Sequence, residues 1–326
     1  MRKVKVHASK VVFSLFLLFC VSTNLFAIDS TELIKKAKNT FSARKYDGSR
    51  PIFIEALELA KKENNKINIS ECYGMIARTY SITKKLPQAR QWIKKAKRST
   101  SPKAPKGWSR YLLERGRIER EEGKKKQATN TFIKAYEFCS KHKLHNRAVD
   151  AAHMVGIAGT PEQQIEWSLK AIREAEAGKM TGWLAVGWNN LGATYEDLKR
   201  YKECLDAYLK AREYHWRVGR EKNKLAADWA VGRAYRYLGK NKKAASWLRP
   251  SLAWSERLQD KEWIGFCCYE LGFVHAAEGR NRSARVYLER AMKLLKSVGI
   301  LNWGKWGKDQ YAALEAEHSK VVNRLK

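Results

Sequence analysis

The chain has 326 residues, of which 65 are Lys or Arg and 33 are Asp or Glu, giving a formal net charge of +32. The cysteines beyond position 27 are odd in number and show no C-x-x-C spacing, which excludes a disulfide framework as the basis of the fold. Only the N-terminus holds a long apolar run, which excludes a protein with several membrane spans.

The N-terminal segment 1–27 has the layout of a secretory signal peptide. Four basic residues precede an apolar run over positions 11–21, and Ala27 ends a suitable cleavage site. The run is shorter than the roughly 20 residues that a membrane span needs. We therefore expect an exported protein, periplasmic or secreted. None of the 33 acidic residues lies in this segment, so the remainder carries a net charge of +28. An uncleaved N-terminal segment that anchors the chain in a membrane is the alternative.

Small residues recur at a nearly fixed interval along the rest of the chain. We call them the ladder: Ala37, Ala77, Gly116, Gly156, Gly192, Gly232 and Gly272. Gly inside a helix costs about 1 kcal/mol relative to Ala, so its repetition at one spacing indicates that two helix backbones meet there. The interval is about 40 residues, a period typical of stacked supersecondary units, and only the step from Gly156 to Gly192 is clearly shorter.

The unit that begins at Trp188 carries the clearest pattern. Residues 188–195 reproduce the string W-x2-L-G-x2-Y, and a second apolar stripe follows at Cys204, Tyr208 and Ala211. This pattern resembles the tetratricopeptide repeat. The resemblance implies an all-α fold, a right-handed α-solenoid of about seven helix-turn-helix repeats with a C-terminal capping helix.

The resemblance also divides the chain into a signal peptide (1–27), a repeat array (28–300) and a capping helix (301–326). A cap covers the apolar face that the last repeat would otherwise expose. Two features depart from the family pattern. The period is longer than that of the usual tetratricopeptide repeat, which is about 34 residues, and positions 158–161 interrupt the helix that carries Gly156. A shortened helix there kinks the superhelix, opens a pocket or is a tolerated deletion.

The sequence contains no motif that indicates catalysis. It has no G-x-S-x-G, no H-E-x-x-H and no paired-carboxylate signature, and His142 and His145 have no third metal ligand near them in sequence. We therefore predict a protein that is not an enzyme. We expect no catalytic residue, no metal site, no cofactor and no small-molecule substrate.

In tetratricopeptide arrays the first helix of each repeat lines the inner groove. The resemblance implies that a partner meets the side chains opposite the second helix, namely Arg78, Arg110, Arg117, Arg120, His153, Asn189, Trp229, Arg233 and Arg236. Arginine pairs with carboxylates in a bidentate manner, and a tryptophan ring offers a stacking surface. A solvated charged helix face is the alternative interpretation of these residues.

The last full repeat is apolar on the same face, at Phe266, Tyr269 and Phe273. These aromatic residues either anchor a partner or receive the capping helix. We expect an interaction scaffold whose basic concave groove binds a protein partner through an acidic segment. The alternative is a polyanion-binding protein, which holds nucleic acid, anionic glycan or the lipid headgroups of a membrane surface by its bulk positive charge.

Overall fold

The computed structural model describes residues 29–326, and the predicted signal peptide lies outside the described residues. In the described part of the chain every regular element is helical, with fifteen α-helices and one short 3₁₀-helix. The predicted all-α class is therefore confirmed. No helix between residues 29 and 326 is both long and apolar enough to cross a membrane.

The helices pair in chain order into seven helix-turn-helix repeats. The first helices are α1 (Ser30–Ser42), α3 (Lys66–Ile82), α5 (Pro105–Glu121), α7 (His145–Ala158), α9 (Thr181–Asp197), α11 (Glu221–Tyr237) and α13 (Lys261–Ala277). The second helices are α2 (Tyr46–Lys62), α4 (Leu86–Arg98), α6 (Lys125–Lys141), α8 (Pro161–Ala177), α10 (Tyr201–Val218), α12 (Asn241–Arg257) and α14 (Asn281–Ser297). A 3₁₀ turn, Ile300–Asn302, leads into α15 (Gly304–Asn323). Each helix packs on the next, and neighbouring first helices also pack on each other, so the chain forms the predicted α-solenoid.

The ladder lies where the first and second helices of a repeat touch. A Cβ atom added to Gly116 would lie 2.7 Å from Cε1 of Phe132, and one added to Gly192 would meet the Tyr208 ring at 2.5 Å. These glycines are therefore required for close approach of the two helices. The ladder position Gly156 differs, because the atom nearest to an added Cβ is 3.8 Å away.

Most turns between helices contain one residue in the left-handed region. Gly239 and Gly279, which the sequence places at helix ends, have φ values of +69° and +70°, as expected where the chain must reverse without a Cβ clash. Two connections in the described chain have no such residue. They are the link between α4 and α5 (residues 99–104) and the link between α7 and α8 (residues 159–160). A cavity lies beside each of these links, as described below.

The C-terminal end of the array is closed by α15. Leu295 and Ile300 are fully buried beneath it, and the cap itself buries Tyr311, Leu314 and Val321. The Phe266 ring lies 6.1 Å from the rings of both Trp303 and Trp306, measured between centroids. Phe266 therefore receives the capping segment, one of the two roles that the sequence left open, whereas Tyr269 stacks on Phe273.

The five cysteines in the described chain are free and buried. Cys204 lies on the second-helix stripe, as the repeat pattern predicts, and its burial raises the pKa of the thiol to about 12. These thiols therefore contribute to the packed interior as small apolar side chains.

Candidate functional site

We call the surface that carries the nine predicted groove residues the inner face. Its residues are Arg78, Arg110, Arg117, Arg120, His153, Asn189, Trp229, Arg233 and Arg236. All of them lie on first helices, at positions one or four residues after a ladder residue or three or six residues before one. Most of them belong to two ion networks, to a cavity between these networks or to an aromatic cluster, whereas Arg120 and Asn189 lie outside all of these.

The N-terminal part of the inner face is held by buried carboxylates. Arg110 donates from Nε and Nη2 to the two oxygens of Glu71, at 3.0 and 2.9 Å, and from Nη1 to Glu114 at 2.9 Å. Arg117 pairs with Glu114 at 3.2 Å and with Asp150 at 2.6 Å. Because these groups come from α3, α5 and α7, the pairs join three consecutive repeats.

Further cations complete this N-terminal network. Arg78 pairs with Glu114 at 3.3 Å, while Arg147 and Lys38 reach Glu71 at 2.8 and 2.7 Å. The network thus contains five cations and three carboxylates, an excess of two positive charges: Lys38, Arg78, Arg110, Arg117 and Arg147 against Glu71, Glu114 and Asp150. The excess leaves this part of the inner face electropositive.

Burial and charge act in opposite directions on the carboxylates of this network. Burial alone would raise the pKa of Glu114, but the guanidinium groups of Arg117 and Arg78 outweigh it and hold that pKa below its usual value. The pKa of Asp150 is lowered in the same way by Arg117. Both side chains are therefore ionised at neutral pH.

A second network lies between α9, α11 and α13. Arg233 contacts Glu196 at 2.8 Å and Glu270 at 3.4 Å, and Arg236 forms a short contact with Glu270. Arg233 also donates to the hydroxyl of Tyr237 at 2.9 Å. Two arginines face two carboxylates, so this C-terminal network carries no excess charge.

Between the two networks the inner face opens into a cavity of about 320 Å³. None of the side chains that line it forms an ion pair within the described residues. They come from α7, α8 and α9 and include Val149, His153, Ile157, Gln164, Trp183, Val186, Asn190, Ala193, Thr194 and Asp197. We call it the inner cavity. Two apolar side chains near its mouth are strongly exposed, Ile157 at 55% and Val186 at 40%.

The inner cavity follows from the irregular fourth repeat. Helix α7 has 14 residues where α9 has 17, because the chain leaves the helix at Gly159. Thr160 then caps α8 in a reciprocal arrangement with Gln163, and Pro161 occupies the first helical position. The missing last turn of α7 leaves the space that becomes the cavity. Of the three outcomes that the sequence allowed for this interruption, a pocket is the one observed.

The predicted polar residues of the middle repeats are placed differently. His153 lines the inner cavity, with its ring 6.2 Å from that of Trp183, and burial lowers the pKa of this histidine. The imidazole is thus neutral at pH 7 and offers one donor and one acceptor. Asn189 does not line the cavity, whereas its neighbour Asn190 does. The sequence did not indicate Asn190. Which face of α9 meets the cavity depends on how α9 packs against the shortened α7, and the repeat pattern does not predict that packing.

The remaining predicted residues lie at the two ends of the inner face. Arg120 is half-exposed and pairs with the adjacent Glu121 at 3.2 Å. Trp229 donates its indole N–H to the carbonyl of Phe266 at 3.3 Å and packs on Trp263. Trp229 therefore belongs to an aromatic cluster that continues to the capping segment: Trp229, Trp263, Phe266, Trp303 and Trp306.

The part of the chain that the structure describes holds no candidate metal site. Residues 29–326 contain no group of three or more His, Cys, Asp or Glu side chains suited to a metal ion. His145 instead contacts Glu174 at 2.7 Å.

Comparison with known proteins agrees with the repeat architecture. The family model of the tetratricopeptide repeat matches residues 185–213, which hold most of the α9–α10 pair. A search of curated proteins gave no match to this chain.

Several solved structures resemble the whole array. A signal transduction ATPase with numerous domains and a tetratricopeptide-repeat sensor, from Pyrococcus horikoshii, superposes with a TM-score of 0.70 at 17% identity. The match covers 90% of this chain and 44% of that one, so this chain spans less than half of its length. The apo form of RapI gives 0.69 at 13% identity, covering 90% and 84% of the two chains. The C-terminal part of a repeat protein from Cytophaga hutchinsonii gives 0.56 at 16% identity, covering 85% and 98%. These likenesses show the fold.

Proposed function

Because the chain is a tetratricopeptide-repeat protein, we propose that it is a non-enzymatic scaffold that binds an extended segment of a protein partner along its inner face. This proposal rests mainly on the presence of the inner cavity, which lies in the middle of that face, between the two ion networks. The layout of the N-terminal segment 1–27 supports action outside the cytoplasm.

The inner cavity has the chemistry of an anchor site for one side chain. Its volume of about 320 Å³ is at the small end of the range for ligand pockets. Ile157 and Val186 offer apolar contact near the mouth, while the amides of Gln164 and Asn190 can hydrogen-bond a peptide backbone. We infer that the partner inserts one apolar side chain here.

The charge beside the cavity supports an acidic sequence next to that anchor. The N-terminal network holds two positive charges in excess of its carboxylates, and Arg120 is half-exposed at its edge. A partner carboxylate would complete the hydrogen bonding of guanidinium groups that are already fixed in position. The preferred partner is thus an extended segment with an apolar anchor and acidic residues on one side of it.

A peptide display library panned on the purified protein tests this function. The substitution Ala193→Trp places a large ring in the inner cavity from an exposed position. Ala253→Trp on α12, also exposed, is the matched control. We expect the enriched peptides to carry an apolar anchor flanked by acidic residues. Their affinity for the Ala193→Trp variant should fall at least about tenfold, which is about 1.4 kcal/mol. Their affinity for the Ala253→Trp control should be unchanged. Equal binding to both variants would contradict the proposal.

A second candidate function rests on a groove on the opposite side of the array. This outer groove lies between α4 and α6 and crosses α5, and seven cations line it against two carboxylates: Arg90, Lys94, Lys97, Arg115, Lys124, Lys126 and Lys134 against Glu119 and Glu122. A linear polyanion would bind there by charge. Binding of a single-stranded oligonucleotide should then weaken steeply with salt, and replacing Lys94, Lys97 and Lys126 by Gln should reduce the slope. A slope unchanged by these substitutions would reject the outer groove.

A further inference from the structure

A larger cavity lies beside the link between α4 and α5 and shares no residue with the inner cavity. Its volume is about 700 Å³, within the range of sites for small organic ligands. We call it the link cavity, and its lining residues are Lys66, Ile67, Ser70, Arg98, Ser99, Thr100, Ser101, Ala104, Pro105, Lys106, Gly107, His142 and Leu144.

The link cavity exists because α4 ends early. This helix has 13 residues where α6 has 17, and residues 99–104 then run as an irregular link to Pro105. Gly107 permits this path, because a Cβ atom there would lie 2.4 Å from Oγ1 of Thr100 and 2.6 Å from Oγ of Ser70. The floor of the cavity is formed where α3, the link and α5 are in close contact.

The charges that line the link cavity are all of one sign. Lys66, Arg98 and Lys106 contribute to its wall, and no Asp or Glu does. Lys66, Arg98 and Lys106 form no ion pair with any of the described residues. This differs from the inner face, where each predicted arginine meets a carboxylate. Unpaired cations around a concave site favour an anionic ligand.

Uncharged donors are gathered at the same place. The Thr100 hydroxyl is buried and has no hydrogen-bond partner among the described residues. The N-cap residue of α5 is Ala104, which makes no side-chain cap, and Pro105 has no N–H, so the N–H groups left without a cap are those of Lys106 and Gly107. Orphan N–H groups at a helix N-terminus, together with cations and a free hydroxyl, suit the oxygens of a phosphate group.

Part of the lining of the link cavity is apolar. Ile67 is 51% exposed and lines the site together with Leu144 and Pro105. An exposed isoleucine next to a cationic cluster indicates a ligand with two parts. One part is anionic and the other is apolar.

We propose that the link cavity binds a phosphate ester that carries an apolar substituent. The phosphate group lies among Arg98, Lys66 and Lys106, and the substituent packs on Ile67. Two sources share this chemistry: a soluble phosphate ester and the headgroup region of an anionic phospholipid. The proposal is independent of the partner segment on the inner face, since the two cavities have no lining residue in common.

Calorimetric titration of the purified protein with phenyl phosphate, inorganic phosphate and phenol tests the site. We expect phenyl phosphate to bind more tightly than inorganic phosphate and phenol not to bind. The double variant Lys66→Gln with Arg98→Gln should lose about tenfold or more in affinity, or about 1.4 kcal/mol. The double variant Lys202→Gln with Lys240→Gln removes the same charge from distant exposed positions and should bind as the unaltered protein does. Ile67→Ala should abolish the preference for phenyl phosphate over inorganic phosphate.

Sedimentation with lipid vesicles separates the two sources. If the protein and its distant-charge control sediment with vesicles of phosphatidylcholine mixed with phosphatidylglycerol, but the Lys66/Arg98 variant does not, the source is a lipid headgroup. If phenyl phosphate binds and no protein sediments, the source is a soluble ester. Failure to bind phenyl phosphate, or equal weakening by the site and distant-charge variants, would overturn the proposal.

Discussion

At the scale of single residues, the ladder glycines differ in how closely neighbouring side chains approach the position of the missing Cβ atom. Gly116 and Gly156 occupy equivalent positions in adjacent repeats, yet an added Cβ would lie 2.7 Å from the Phe132 ring in one case and 3.8 Å from Trp167 in the other. The Phe132 side chain is 1% exposed and has no space into which it can move. The same substitution should therefore have opposite effects at the two sites.

We predict that Gly116→Ala lowers the free energy of unfolding by about 1–3 kcal/mol, the usual cost of overpacking a core. Gly156→Ala should instead raise it by up to about 1 kcal/mol, because Ala is the better helix former and its methyl group would meet Trp167 at an ordinary van der Waals distance. Urea denaturation followed by circular dichroism measures both. Similar losses for the two variants would show that the fourth repeat is packed as tightly as the third.

The arginines of the inner face illustrate what a residue pattern leaves undetermined. The three-residue spacing of Arg117 and Arg120 assigned them to one side of a helix, but the partner of Arg110 is Glu71, 39 positions earlier in the chain. No local spacing predicts such a pair. It forms because the repeat period brings α3 and α5 side by side.

At the scale of helices, the two short ones inside the array define the sites. Helices α4 and α7 have 13 and 14 residues, whereas most others in the array have 17, and each is followed by a link without a left-handed turn. A shortened helix removes packing surface from its neighbours, and the space remains as a cavity.

The N-terminal network makes the contact between α3, α5 and α7 sensitive to acid. The pKa values of Glu114 and Asp150 are lower in the fold than in an unfolded chain. Their contribution to stability is therefore complete above the unfolded value, about pH 4, and is lost as the pH falls through the lowered folded values. We predict a melting temperature that is steady from pH 7 to about pH 5 and declines below it.

Glu114→Gln tests whether this network is the source of the decline. The variant leaves three buried guanidinium groups without one carboxylate, so we expect a loss of about 3–5 kcal/mol and a shallower dependence on acid. Glu213→Gln breaks an exposed pair with Arg217 and should cost under about 1 kcal/mol. An unchanged acid profile in the Glu114 variant would assign the decline to other carboxylates.

At the scale of the whole molecule, the array depends on its C-terminal cap. Each repeat contacts mainly its neighbours, so an uncovered last repeat exposes its apolar face. Here α15 covers Leu295, Ile300 and Phe266, which are between 0% and 7% exposed. The cap also completes the aromatic cluster at the end of the inner face.

We predict that removal of residues 304–326 lowers the melting temperature and causes the protein to self-associate, as measured by circular dichroism and size-exclusion chromatography. Removal of residues 324–326 alone, which follow the end of α15 and are exposed, should change neither property. If the longer truncation remained monomeric and equally stable, α15 would not be a structural cap.

The sequence by itself determined the repeat, its period, the assignment of first and second helices, the turn glycines and the cap. These features are local or periodic, because helix formation and close backbone contact each require particular residue types at fixed spacing. The tertiary structure decided which arginines meet carboxylates, that the interruption after Gly156 opens a cavity, and that Asn190 lines it in place of Asn189. It also decided that the link after α4 encloses a second, cationic cavity. These outcomes depend on groups from different repeats, such as the pairs of Arg110 with Glu71 and of Arg117 with Asp150, and such contacts exist only after the repeats have stacked.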